Sequence, residues 1–268
     1  MRKTIILLIV AICLFSPVYL FGQTSSDDFT VVDEYYLGRA VAANILTRYR
    51  PFTQNAEATQ YLNRICQALV INSTHPATLR GYTVMILDSQ EINAFASPGG
   101  HIFITRGFLQ LATSEDMLAA IIAHELAHVM LRHGITAINE ARLISEMTGA
   151  AGRAAGMART TSTTAARMAD FRSSITTSIE TLTANGYSQA QEYEADIEAM
   201  ILLTSAGYDP RALLEVLKAL ESRQRPQASG FFSTHPSPGM RLANLSALNL
   251  PIVNTSQHRA ARFRSVRF

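Results

Sequence analysis

Behind Arg2 and Lys3 the chain runs almost wholly apolar from Thr4 to Phe15, and the apolar character continues toward Phe21. After a polar stretch at 23–30, apolar residues recur at helical spacing from Val31 to about Tyr49, and Pro51 ends the pattern. A second helix is predicted from Glu57 to about Ile71, with Tyr61, Leu62, Ile65, Leu69 and Val70 forming its stripe. The period then shortens. Tyr82, Val84 and Ile86 alternate with Thr83, Met85 and Leu87, which predicts a strand buried on both faces. Further short strands are predicted at Ile92–Ser97 and His101–Thr105, joined through the turn signal Pro98-Gly99-Gly100.

Thr113-Ser114-Glu115-Asp116 resembles a capping box and opens a helix to about Arg132, with Gly134 placed where a left-handed residue would end it. Residues 146–170, rich in Ala, Gly, Met, Thr and Ser, read as a loosely packed helix or a mobile flap. Ser188 and Gln191 form a second capping box, whose helix ends near Gly207. Asp209 and Pro210 are placed to start a helix to about Ser222, and a last short helix lies near Met240–Leu248. No internal repeat is visible. The sum is an α+β protein, mostly α, with a small sheet.

A length of 268 residues with 48% hydrophobic content suits one sizeable core and is short for two. Residues 31–250 are therefore expected to form a single domain. The basic start, apolar run and small Gly22 before Gln-Thr-Ser-Ser read as an export signal over 1–22, cleaved after Gly22. An uncleaved membrane anchor is the alternative, because the run nearly reaches spanning length. Either way the chain is expected to be exported. Residues 23–30 would form a flexible start.

Lys+Arg number 23 and Asp+Glu 21. Loss of the signal takes Arg2 and Lys3 and no acid, so the remainder is formally neutral, which argues against a nucleic-acid partner. The tail over 251–268 carries Arg259, Arg262, Arg264 and Arg267 interleaved with Phe263 and Phe268. It reads as a solvated basic tail, with contact to anionic lipid or a partner as the second reading. Only Cys66 survives signal removal, so no intramolecular disulfide can form, and its helical apolar setting makes it a buried small hydrophobe.

The chemistry concentrates in His124-Glu125-Leu126-Ala127-His128. Residues four apart on a helix stand on one face, so both imidazoles can reach one zinc ion at about 2.0–2.1 Å. Glu125 is turned by roughly 100° and lies beside the ion, where a carboxylate can take a proton from water. A third ligand has to come from elsewhere, and Gln191-Glu192-Tyr193-Glu194-Ala195-Asp196 offers it. Glu192 and Asp196 share a face, so one can bind metal while the other orients a ligand imidazole. Glu194 is the competing ligand, though it points roughly 200° away from Glu192. His133 is placed at the helix end, where a cation complements the dipole, and carries no ligand role. His75, His101 and His258 carry no motif.

The His124–His128 segment followed by Glu192-Tyr193-Glu194-Ala195-Asp196 resembles peptidase family forty-eight of the metallo class, the family of HtpX-like, Oma-type and CAAX-processing enzymes. Asn93-Ala94-Phe95-Ala96 with Pro98-Gly99-Gly100, Thr105-Arg106-Gly107-Phe108-Leu109, and Thr234-His235-Pro236-Ser237-Pro238 with Arg241-Leu242 match as well, so the resemblance covers about Gln60 to Leu248. The compact, exported bacterial members of the BepA-like and LoiP-like kind are the most similar. The resemblance implies a zincin-like fold and one zinc per chain held by His124, His128 and Glu192. It implies Glu125 as the base and Asp196 as the orienting carboxylate. Asn93 and Phe95 would lie beside the cleft, where a substrate strand could add. His235 could lie over the zinc and hold the enzyme inactive, with Arg241 beside it, or both could simply order the C-terminal loop. Implied substrates are proteins or peptides in the periplasm, with envelope or outer-membrane assembly proteins as partners. A zinc-stabilised chaperone is the competing function.

Overall fold

A computed structural model describes residues 29–75, 77–141, 176, 179–180, 186–223, 231–235, 237–253 and 257–268. The predicted export signal, the greater part of the flexible start and the segment 146–170 lie outside these residues. Two helices come first, α1 (Val31–Arg48) and α2 (Ala56–Ile71). Three strands follow, β1 (Thr83–Leu87), β2 (Ala94–Ser97) and β3 (His101–Thr105). The short α3 (Arg106–Leu109) leads into α4 (Glu115–Met130), and a further helical stretch covers 133–141. The remaining helices are α5 (Gln189–Ser205), α6 (Ala212–Glu221), α7 (Phe231–Thr234), α8 (Pro238–Ser246) and α9 (Gln257–Ser265). The protein is mostly helical with one small sheet, as expected.

The sheet has the order β1-β3-β2, with β1 parallel and β2 antiparallel to the central β3. One face buries Val84, Ile86, Ala94, Ala96, Ile102 and Ile104 in the main core with α2, α4, α5 and α6. The other sets Leu87, Phe95 and Phe103 against Val41 and Ile45 of α1. That second layer is short, so Thr83 is exposed and Met85 half-buried, and the expectation of a strand buried on both faces holds only toward Leu87. The edge of β1 is satisfied from α2. Asn63 accepts from the Val84 amide at 2.9 Å and donates to the Val84 carbonyl at 2.7 Å, which leaves no ladder for another chain to join there. Gly38 lets α1 approach the strand turn, for a Cβ there would lie 1.7 Å from the Pro98 carbonyl oxygen.

The helix α4 is buried all round, the pattern of a central core helix. Its N-cap is Ser114, which accepts from the Met117 amide at 3.2 Å. Thr113 instead turns its hydroxyl to the Met117 sulfur, so the expected capping box does not form. The far end also differs from expectation. Arg132, not Gly134, adopts the left-handed conformation, with φ 57°, and the next helical stretch already begins at 133. The Ser188–Gln191 capping box at the start of α5 is present on both sides.

The basic tail is only partly solvated, with Arg264 and Arg267 exposed and two other arginines paired. Arg259 meets Asp116 at 2.9 Å, and Arg262 meets Glu115 at 2.6 Å. Both acids are buried at the start of α4, and Glu115 also accepts from the Tyr61 hydroxyl at 2.8 Å. Phe263, Val266 and Phe268 pack against the main core. The tail is the clasp of that helix end. Among the described residues no helix is long and apolar enough to cross a membrane.

Candidate metal centre and active site

The last two turns of α4 bring His124 and His128 edge to face, with their Nε2 atoms 3.2 Å apart. The first turns of α5 lie against them. Glu192 Oε1 is 3.3 Å from His128 Nε2, and Glu192 Oε2 is 3.5 Å from His124 Nε2. His235, just after α7, adds its Nδ1 at 2.8 Å from Glu192 Oε1. One donor atom from each of His124, His128, Glu192 and His235 lies within 4.8 Å of all the others. All four residues are buried. Three imidazoles with a carboxylate form a donor set that suits zinc.

Asp196, one turn beyond Glu192, places Oδ1 3.1 Å from His124 Nδ1. That contact puts the ring's proton on Nδ1 and leaves Nε2 free to face the donor cluster. Arg241 on α8 closes the acidic side. Its Nε donates to Asp196 Oδ2 at 2.8 Å, its Nη2 donates to Asp196 Oδ1, and its Nη1 lies 2.8 Å from Glu192 Oε2, though poorly aligned for a hydrogen bond. The guanidinium is thus committed to Glu192 and Asp196 of α5. It is not free to meet a developing oxyanion.

The electrostatics describe a site built for a cation. Burial and Arg241 both oppose charge on His124, but Asp196 and Glu192 outweigh them and hold its pKa up at about 9. The field that favours a proton on that ring equally favours a metal ion at the same lone pair. Burial would raise the Glu192 pKa, yet His235 and Arg241 keep it well below the usual carboxylate range, so it stays an anionic donor. His128 is pushed well down by burial and stays neutral, as a ligand imidazole must be.

Glu125 stands apart from this network. It is buried, burial raises its pKa, and neither carboxylate oxygen has a hydrogen-bond partner among the described residues. Its Oε1 lies 4.0 Å from His235 Nε2. A buried carboxylate without such a partner is costly.

His133 was missed by sequence reasoning. It is not a cation at the end of α4, because that helix stops at Met130 and the left-handed Arg132 swings the chain back. His133 Nδ1 lies 3.0 Å from His128 Nδ1, and its Nε2 lies 3.2 Å from Glu194 Oε2. Glu194 therefore faces His133 and stands outside the donor cluster. Tyr187 was also missed, since nothing in its local sequence marks it. Its ring stacks on His128 at 3.8 Å and 15°.

Asn93 and Phe95 are both buried beside the site. Asn93 locks to Thr105 through its backbone amide at 3.0 Å, and Phe95 packs under α1. Any pairing with a substrate strand would fall to the backbone of β2, the edge strand. The Phe231 amide donates to the Ile92 carbonyl just before that strand at 3.0 Å, and the Phe231 ring stacks on His235 at 4.2 Å. Gly186 permits the crossing beneath this segment, because a Cβ would meet the Thr234 carbonyl at 2.0 Å.

A helix that sets two histidines and Glu125 against a second helix carrying the buried Glu192 is thus brought together with His235 in one possible metal-holding group. The model for peptidase family M48 matches residues 56–249. The chain belongs to that family. It is 27% identical over 226 residues to the beta-barrel assembly-enhancing protease of Yersinia pestis, covering 83% of this chain and 44% of that protein. To the protein of the same name from Escherichia coli K12 it is 29% identical over 206 residues, covering 72% and 39%. To the mitochondrial metalloendopeptidase OMA1 of Schizosaccharomyces pombe it is 31% identical over 156 residues, covering 57% and 42%. The chain spans less than half the length of these relatives.

Proposed function

We propose that the protein is a zinc endopeptidase that hydrolyses peptide bonds with Glu125 as base, in quality control of misfolded or unassembled envelope proteins. The reading is carried by the four-donor cluster within 4.8 Å beside an unpartnered Glu125. His124, His128 and Glu192 would hold the metal. Zinc, when bound, supplies Lewis-acid polarisation of a carbonyl and lowers the pKa of water. Glu125 takes the proton of the attacking water and delivers it to the leaving amine nitrogen. Asp196 holds His124 in the ligating tautomer, and Arg241 keeps Glu192 and Asp196 ionised and in place.

His235 would add a fourth protein donor, and a substrate carbonyl then has no position to enter. We take it as a plug, supported by the 2.8 Å contact with Glu192 and by the Phe231 stack that fixes its ring. Export to the periplasm rests on the Arg2-Lys3 start and its apolar run, with a membrane anchor as the alternative. Two relatives named for beta-barrel assembly support outer-membrane assembly proteins as partners.

Zinc content and casein cleavage of Glu192→Ala and His235→Ala test the assignment. Glu192→Ala should lose zinc, and unchanged stoichiometry removes it from the ligand set. His235→Ala should keep zinc and cleave faster, and an unchanged rate removes the plug. The closed, fully buried site also favours a second reading, a zinc-stabilised binding protein. Rescue of envelope defects by Glu125→Gln as well as by wild type would support that reading over the peptidase.

A further inference from the structure

We propose that His133, backed by Glu194, is a positioning residue that fixes His128 as a metal ligand. The inference rests on the proposed zinc site and extends it to residues with no ligand role.

Proton bookkeeping leaves one arrangement. His128 turns Nε2 toward the donor cluster, 3.3 Å from Glu192 and 3.2 Å from His124 Nε2. A neutral imidazole that gives Nε2 to a metal carries its proton on Nδ1. That proton points at His133 Nδ1, 3.0 Å away. His133 Nδ1 therefore accepts, its own proton sits on Nε2, and Nε2 donates to Glu194 Oε2 at 3.2 Å. The carboxylate at the surface so determines the tautomer of His133, and His133 determines that of His128. Asp196 does the same for His124 directly, so each helix ligand has its own orienting chain ending in an α5 carboxylate.

The fold is shaped to make this contact. Arg132 holds a φ of 57°, uncommon for a residue with a side chain. Its guanidinium is anchored to Glu34 and donates to the Phe29 carbonyl at 2.8 Å. The turn brings the His133 ring back over the helix it has just left, 5.1 Å from the His128 ring centre. Tyr187 stacks on the opposite constraint. It sets the plane of His128, while His133 sets the direction within that plane.

Zinc affinity at one fixed pH, by competition with a chromophoric chelator, tests the inference on the full chain. The arms are wild type, His133→Phe, His133→Asn and Glu194→Gln. Removing such a partner typically weakens metal binding by about 10–100-fold, and His133→Phe should fall in that range. Asn places an amide oxygen where Nδ1 stood, so His133→Asn should stay within about threefold of wild type. Glu194 is 64% exposed, so its replacement leaves the fold intact and should weaken binding by a few-fold. In proton NMR of the zinc-loaded protein, the downfield His128 Nδ1 proton should appear in wild type and His133→Asn and be lost or shifted in His133→Phe. Wild-type affinity in His133→Phe, or a loss in His133→Asn as large as in His133→Phe, overturns the proposal. If His133→Phe fails to fold, unchanged affinity in Glu194→Gln together with a loss in His133→Asn overturns it. Wild type that binds no zinc defeats the zinc reading itself and is distinct from these outcomes.

Discussion

Replacing Arg241 with Met would show whether the guanidinium and the metal share the same negative charge. Arg241 is buried against Glu192 and Asp196, and both carboxylates are inaccessible to solvent. In the zinc-free protein His124 and His235 still face the two carboxylates, but the variant removes the guanidinium that both of them share. Breaking a buried pair by removing one partner costs about 3–5 kcal/mol. At roughly 2–4 °C per kcal/mol for a domain of this size, the melting temperature should fall by about 6–20 °C. With zinc bound, Glu192 already faces a divalent cation, and the remaining loss is the charged hydrogen bonds to Asp196, about 1.5–3 kcal/mol. The zinc-loaded shift should therefore be about half the zinc-free one. Scanning fluorimetry of wild type and Arg241→Met, each with chelator and with zinc, measures both. An equal shift in the two forms, or no shift in the zinc-free form, would refute the shared-charge argument.

Arg259→Ala removes a charged hydrogen bond to the buried Asp116 and should cost about 1.5–3 kcal/mol in urea unfolding; a change below about 0.5 kcal/mol would return this arginine to a solvated role. Gly38→Ala forces a Cβ onto the Pro98 carbonyl and should destabilise by about 1–3 kcal/mol, with neutrality arguing against the α1–turn approach. The Cys66 thiol is buried and pushed up to about 12, so it should resist a thiol reagent at pH 8 until the protein unfolds. Labelling of Cys66 in native buffer, followed by peptide mapping, would contradict its burial.

The parts of the site that were legible in the sequence are those set by spacing within one helix. His124, Glu125 and His128 follow from a single turn of α4, and Glu192 and Asp196 from a single turn of α5. What joins the two helices is not local. Arg241 reaches Asp196 across 45 residues and His235 reaches Glu192 across 43, where the resemblance had suggested only that His235 lies over the zinc with Arg241 beside it. His133 has no ligand role, as expected from the sequence, but its contact with His128 was not legible, because it depends on where α4 stops, and that is decided by the left-handed Arg132, a residue with no propensity for the conformation. The tail misled for a related reason. Arg259 and Arg262 looked solvated because their partners, Asp116 and Glu115, looked like ordinary first-turn acids of α4. Those partners lie more than 140 residues away along the chain.

The central claim is that Glu125 is the proton carrier of a zinc site that does not depend on it for metal binding. Zinc content and casein cleavage of wild type and Glu125→Gln, purified in parallel, test it most directly. One zinc per chain in both, with cleavage in wild type alone, is the predicted result. Cleavage by Glu125→Gln at the wild-type rate, with contaminating proteases excluded, would contradict it.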